Sequence, residues 1–304
     1  MEPIKCGSCG ASNKPPAVTA CRLCGAPFPA PSKVPFDEYT KIEAVNWSTL
    51  KELRKSPKHY RHRLQVERED TPRLAIGRAA HTAVFEPDRF LVEYACYKGK
   101  IRRGKKWDAF KAANEGTTIL KLDEYQRCLA IRDAVRSHPV AAKYLERGKA
   151  EQTIQWKHST TGMMCKGRVD WIGDALVDLK TTADIDTNKF SSVSARMGYH
   201  LQLAFYRDGL ASITGRELPV VMIAVEANAP HDVAVYRLDE DAMYAGQEEV
   251  NSLMETLLVC RQVDKWQGRY PDEQLLRLPT WLTGSDEDDT TGLDLVVNGQ
   301  TAEV

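Results

Sequence analysis

The sequence has no net charge, no membrane-length apolar run and no internal repeat, and each absence narrows what the chain can be. Lys+Arg and Asp+Glu both number 42, so a global basic excess of the kind that draws a protein to polyanions is missing. No stretch reaches the roughly 18 consecutive apolar residues that cross a bilayer. The opening residues, MEPIKCGSCG, carry no apolar signal-peptide core. These absences predict a soluble, cytoplasmic protein with no membrane partner. What is present is 42% hydrophobic residues over 304 positions, enough for one large core with small additions.

The charge is unevenly spread. Residues 41–106 hold 17 Lys/Arg against 8 Asp/Glu, whereas residues 284–304 hold 6 Asp/Glu and no Lys/Arg. Such asymmetry suits a surface that meets a polyanion, and equally a solvated charged face. Half of the eight cysteines fall into two Cys-x-x-Cys pairs, Cys6 with Cys9 and Cys21 with Cys24, each followed by glycine. In a reducing compartment this spacing predicts a tetrahedral structural Zn²⁺ site, whose metal would supply the folding energy of so short a unit. The expected organisation is a zinc ribbon at 1–30, a Pro-rich linker at 31–40, a main domain at 41–283 and an acidic, disordered tail at 284–304.

Within the main domain, helical patterns are expected first. They are a short helix capped by Ser48 and ending near Pro57, then runs at 76–85, 107–115 and 122–146. Strand-like runs follow at 153–158, 163–172, 176–181, 220–227 and 233–238. Helices are expected at about 198–213 and, capped by Asp239, at about 239–267. The fold class is therefore α/β (α+β), with a mixed central sheet flanked by helices.

The segment KGRVDWIGDALVDLKTT, residues 166–182, carries the chemistry. A turn at Gly173, Asp174 and Ala175 would set Asp170 opposite Asp178. With side chains alternating at period 2, Asp170, Asp178 and Lys180 share one face, and Val169, Trp171, Val177 and Leu179 share the other. Facing carboxylates repel unless a cation lies between them, and hard oxygen ligands suit Mg²⁺ or Mn²⁺. Lys180 could then orient a water or meet charge growing on a phosphate. An ordinary solvent-facing hairpin with an Asp–Lys pair would show the same alternation.

The triplet Asp178, Leu179, Lys180 behind an upstream acid resembles the core of PD-(D/E)XK nucleases. More closely, GRVDWIGDALVDLKTTADI followed by YHLQLAFYRDG is similar to the RecE (exodeoxyribonuclease VIII) branch of the RecB-like nucleases. GRAAH with His81, Gln202 to Tyr206, and STLKELRKSPKHY complete the resemblance over roughly residues 45–270. It implies a PD-(D/E)XK core and a metal bound by His81, Asp170, Asp178 and the backbone carbonyl of Leu179. Gln202, Tyr206 and Tyr199 would position the phosphate or Lys180, and Glu151 would approach the metal. It also implies resection of linear duplex DNA from its ends, 5′ to 3′, for a single-strand annealing partner. A RecB-like single-strand nuclease, an endonuclease and a non-catalytic zinc-ribbon adaptor stay open beside it, as does a homo-oligomer. Two basic clusters could hold the DNA backbone, one containing Lys51, Arg54 and Lys55, the other Arg102, Arg103 and Lys105, with Trp107 following as a core residue or a stacking platform for an end base.

Overall fold

The computed structural model describes residues 30–66, 71–279 and 282, with the backbone alone at residues 72–73 and at four two-residue strands near the chain's two ends. Two of these strands, β1 (Ile4–Lys5) and β2 (Ser12–Asn13), pair antiparallel, as do Val296–Val297 and Gln300–Thr301. The four ribbon cysteines and the acidic stretch after residue 284 lie outside the described residues. Among the described residues no helix is long and apolar enough to cross a membrane.

Prolines start helices here more than they stop them. Asn46, rather than Ser48, caps α2 (Trp47–Leu50): its Oδ1 accepts from the Thr49 N–H at 3.1 Å, and the Ser48 hydroxyl donates to the same oxygen. A 3₁₀ turn, Lys51–Arg54, follows. Pro57 then opens α3 (Pro57–Gln65), with Ser56 as its cap. The fixed φ and missing N–H of proline suit a first turn, whose donors have no partner in the helix. The same device opens α4 (Pro72–Phe85) and α5 (Pro87–Glu93). It also splits the expected 122–146 helix, at Pro139, into α7 (Leu122–Ser137) and α8 (Pro139–Tyr144). The expected 107–115 helix is α6 (Lys105–Ala113), lying between β3 (Tyr94–Tyr97) and β4 (Thr118–Lys121), a parallel pair that no sequence pattern suggested.

The main sheet has the order β5 (Gly148–Lys157), β6 (Met164–Gly173), β7 (Leu176–Thr182), β8 (Val220–Glu226), β9 (Val233–Arg237). Only β7 and β8 run parallel, joined by α9 (Thr187–Met197) and α10 (Tyr199–Thr214), so the sheet is mixed. Alternation sorts its side chains between two cores. Leu176, Val220, Met222 and Ala224 face one core with α10 and α11 (Glu240–Val263, capped by Asp239). Val177, Leu179, Val221, Ile223 and Val225 face the other with α4 and α7. Buried on both sides, β8 reads as a near-continuous apolar run, as a central parallel strand must.

Residues 32–45 are stitched to this sheet. Ser32 and Thr153 exchange both backbone hydrogen bonds, at 3.0 and 2.8 Å. The buried Lys166 donates to the carbonyls of Tyr39 and Ile42 at the end of the short helix α1 (Phe36–Lys41). Three neutral acceptors, the Thr40 carbonyl included, satisfy an ammonium that has no carboxylate beside it among the described residues.

The alternation breaks at one level. Val169 lies in the α10 core and Trp171 in the α4 core, although two residues apart on one strand should share a face. The neighbouring strand breaks there too: Glu151 has φ +52, and the β5–β6 register omits the 151–170 pair. Val169 therefore parts from Trp171, Val177 and Leu179, against the sequence-based expectation. A non-glycine residue in the left-handed region is uncommon and costs free energy.

Candidate active site

β6 and β7 are paired only at Trp171↔Val177 and Ile172↔Leu176. One step further stand Asp170 and Asp178, and there the ladder ends. The Leu179 N–H donates instead to Asp170 Oδ2, at 3.0 Å. β7 keeps to β8 along its whole length, while the far half of β6 takes Val45 as its neighbour. A wedge opens between the two strands, and a carboxylate satisfies a backbone donor that the ladder has released.

Helices from both faces supply the wedge. From α4, His81 Nδ1 lies 3.2 Å from Asp170 Oδ2. From α10, Gln202 Oε1 accepts from Lys180 Nζ at 3.2 Å, and Gln202 Nε2 lies 3.4 Å from the Tyr206 hydroxyl. The Lys180 ammonium sits 4.6 Å from the centre of the Tyr199 ring, a cation–π distance. It also lies 2.7 Å from Asp178 Oδ2. That contact is an ion pair off the hydrogen-bond direction, because the same buried oxygen has no aligned donor. His81, Asp170, Asp178, Lys180, Gln202, Tyr206 and Tyr199 thus converge. Leu179 offers the wedge its backbone, and its side chain is buried in the α4 core.

The charges hold one another. Burial pushes the Asp178 carboxyl up, with Asp170 adding to the shift and Lys180 opposing it. Burial works against ionising Asp170 as well, but His81 and Lys180 outweigh it and hold the group below the usual carboxylate range. Burial likewise disfavours charged His81 and Lys180, yet the two carboxylates raise both. The result is two carboxylates facing two bases across a water-poor gap.

The donor set fits a hard divalent cation. Among the described residues no three His, Cys, Asp or Glu side chains close around a point as they stand. Even so, Asp178 has a buried oxygen with no aligned donor, a second carboxylate faces the same wedge, and a ring nitrogen stands at 3.2 Å from it. An oxygen so placed can accept a cation without losing a hydrogen bond.

Glu151 stands across from Asp170, whose charge joins burial in raising its carboxyl, and Arg168 Nε holds it at 2.5 Å. Arg168 was missed by sequence reasoning, although it lies two residues before Asp170 on the same strand. Its guanidinium also reaches the Val34 carbonyl at 3.3 Å and lies 5.7 Å over the Phe36 ring, which ties residues 32–45 to the site. Gly167 admits the Tyr206 ring: a Cβ there would stand 2.8 Å from it.

The two basic clusters differ. Arg54 pairs with Glu249, Lys55 with Glu52 and Arg61 with Asp264, and Lys51 also has a partner. Arg102 donates to the Ile119 carbonyl at 2.9 Å, approaches Glu124 and covers the Trp107 ring. Arg103 and Lys105 are exposed, with no ion pair among the described residues. Trp107 is half-buried against Tyr97 in this satellite of β3, α6 and β4, outside both main cores.

Residues 46–276 match the family described as a PDDEXK-like domain of unknown function, DUF3799. The chain belongs to this family. Its PDDEXK-like domain spans both cores, the sheet and every residue of the wedge. A candidate exonuclease from Eubacterium rectale has a similar crystal structure. At 16% identity it covers 83% of this chain and 98% of its own, with a TM-score of 0.57. That likeness agrees with the PDDEXK-like architecture. A second solved structure, that of SSO0001, aligns at 14% identity over 73% of this chain and 88% of its own, but its TM-score of 0.26 carries no argument. No curated protein matches the chain.

Proposed function

We propose that the chain is a metal-dependent deoxyribonuclease that hydrolyses phosphodiester bonds as an exonuclease. In this reading it resects linear duplex DNA 5′ to 3′ and leaves single strands for an annealing partner in recombination. The observation that carries the reading is the wedge itself, where the sheet gives up its ladder at Asp170 and Asp178 and sets Lys180 beside them. The family's nuclease-like domain supports phosphodiester chemistry. The description of the Eubacterium rectale protein and the resemblance to the RecE branch favour the exonuclease form.

Asp170 and Asp178, with His81 and the Leu179 carbonyl, would hold Mg²⁺ or Mn²⁺, which when bound supplies Lewis-acid chemistry and a more acidic water. The chain's own groups do the rest. Lys180 presents its ammonium where charge grows on the phosphate in the transition state. Gln202 fixes that ammonium through its Oε1, and Tyr206 fixes the Gln202 amide. The Tyr199 ring bounds Lys180 on another side. Asp170 keeps β7 in place through the Leu179 N–H as well as serving as a ligand. In the same reading Cys6, Cys9, Cys21 and Cys24 bind one structural zinc in a unit of 1–30, joined by residues 31–40 to the nuclease domain at 41–283 and followed by the 284–304 tail.

End-labelled linear duplex and covalently closed circles, each incubated with Mg²⁺, test the reading. The linear form should be consumed from its ends and the circle spared, with no cleavage by Asp178→Ala or in excess EDTA. Full activity in chelator sinks the metal-dependent reading, and rapid cutting of circles sinks the exonuclease reading.

A further inference from the structure

Residues 98–106 carry six cations and no acid, and the structure divides the labour among them. Arg102 turns inward. Its guanidinium donates to the Ile119 carbonyl, approaches Glu124 and lies 5.6 Å over Trp107. The Tyr97 hydroxyl reaches the Ile101 carbonyl at 3.3 Å. Gly104, at φ +80, then lets the chain swing into the first turn of α6. These contacts fix the loop with its other cations outward. Lys100, Arg103, Lys105 and Lys106, with the glycines Gly99 and Gly104, line an open groove of about 440 Å³. Lys98 stands beside it. None of these five cations has an ion pair among the described residues, and all are exposed. In the other basic cluster Arg54, Lys55 and Arg61 are engaged by Glu249, Glu52 and Asp264.

We infer that this groove, between the loop after β3 and the first turn of α6, is a cradle for the phosphodiester backbone of nucleic acid outside the catalytic wedge. The inference rests on the nuclease reading for the identity of its occupant. Unpaired cations over an open surface complement a polyanion, and the first-turn amides of a nine-residue helix add fixed donors on the same side. Ammonium and guanidinium groups arranged this way read phosphates and not bases, so the cradle grips without regard to sequence. Arg102 is a positioning residue for the loop and not a DNA contact. The Lys55 and Arg61 surface, whose cations are held by Glu52 and Asp264, contributes little to binding.

DNA anisotropy across a salt series, with EDTA present so that nothing is cut, tests this in the full chain. The variant Arg103→Gln/Lys105→Gln/Lys106→Gln should bind a labelled duplex at least tenfold more weakly. Its slope of log affinity against log salt should fall by roughly two to three, at about 0.7–0.9 for each lost phosphate contact. The charge-keeping variant Arg103→Lys/Lys105→Arg/Lys106→Arg should keep both, which separates lost charge from a damaged loop. Lys55→Gln/Arg61→Gln should bind as wild type does. The proposal is overturned if the triple Gln variant keeps its affinity and slope, or if the Lys55/Arg61 variant loses as much. The nuclease reading is judged separately, by cleavage of end-labelled DNA. A wild type that binds through this groove but does not cut would defeat that reading and leave the cradle standing. A wild type that cuts while the triple Gln variant binds normally would do the reverse.

Discussion

The two halves of the β6–β7 hairpin obey opposite rules. At the turn end, Trp171↔Val177 and Ile172↔Leu176 form a regular ladder over an apolar core. Trp171 there stacks on Phe85 and donates its indole N–H to the Tyr144 carbonyl at 3.0 Å. One residue further, the ladder stops, a carboxylate takes a backbone N–H, and the opposite position Glu151 adopts a left-handed φ. The first half holds the strands together. The second gathers charged groups beyond the end of that ladder. Strain and buried charge are tolerated where the surrounding structure over-determines them.

The largest effect should come from loosening the turn end. Trp171→Ala removes a large buried side chain and should cost about 3–5 kcal/mol of stability, lowering Tm by roughly 10 °C. Its cleavage rate per folded molecule should stay close to that of wild type, measured below the transition. A rate loss much larger than the stability loss would show that the halves are not separable.

Lys180→Ala tests the open end. It should slow single-turnover cleavage by roughly 10²–10³-fold, about 3–4 kcal/mol at the transition state, and leave DNA affinity nearly unchanged. Thermal stability should fall too, by up to about 3–5 kcal/mol and by less where Asp178 takes up a proton, because the variant leaves a buried carboxylate without its cation, so the rates are compared per folded molecule below the transition. Wild-type cleavage by this variant would return the hairpin to an ordinary charged sheet surface.

A smaller effect is expected further along β6, beyond the open end. Gly167→Ala places a Cβ 2.8 Å from the Tyr206 ring and 3.3 Å from Ile154, an overpacking that should cost about 1–3 kcal/mol. Tyr206 then moves and Gln202 loses its partner, so the rate should fall as well as Tm. Tyr206→Phe, without the overpacking, should lower the rate alone. If Gly167→Ala changes Tm only, the Tyr206–Gln202 link has no part in placing Lys180.

The smallest effect lies away from the wedge. Cys165 and Cys128 are fully buried in the two cores, and burial pushes both thiols up to about 12. Neither should react with maleimide at pH 8 in the folded chain, and both should react in denaturant, as read by mass spectrometry. Labelling of Cys165 without unfolding would mean that the α10 core opens beside β6.

Much of the sheet was legible because it depends on local pattern. Each of the five main strands overlaps a run of β-branched and aromatic residues, and the turn at Gly173, Asp174 and Ala175 falls where the sequence places it. Asp170, Asp178 and Lys180 were legible as one face because period 2 holds between turn and site. The pattern failed where long-range contacts intervene. Val169 changes face because β5 kinks at Glu151, and nothing within β6 announces that. The β3–β4 pair was illegible because its partners lie more than 20 residues apart with a helix between, so no local period marks them.

By itself, then, the sequence determined which residue types stand at which spacing: the Asp-x-Lys triplet, the upstream Asp170, the helical Gln202 and Tyr206, and the six cations of 98–106. These follow from helix and strand periodicity, which act within a few residues. Only the tertiary structure decided that His81 and Gln202 meet from opposite faces of the sheet, because the ladder opens between them. Only it decided that Arg54 and Arg61 are bound by Glu249 and Asp264, while Arg103 and Lys105 have no ion pair among the described residues. These ion pairs depend on which surfaces pack together, and side chains 195 positions apart, as in Arg54 with Glu249, or 203 apart, as in Arg61 with Asp264, share no local pattern that could reveal it.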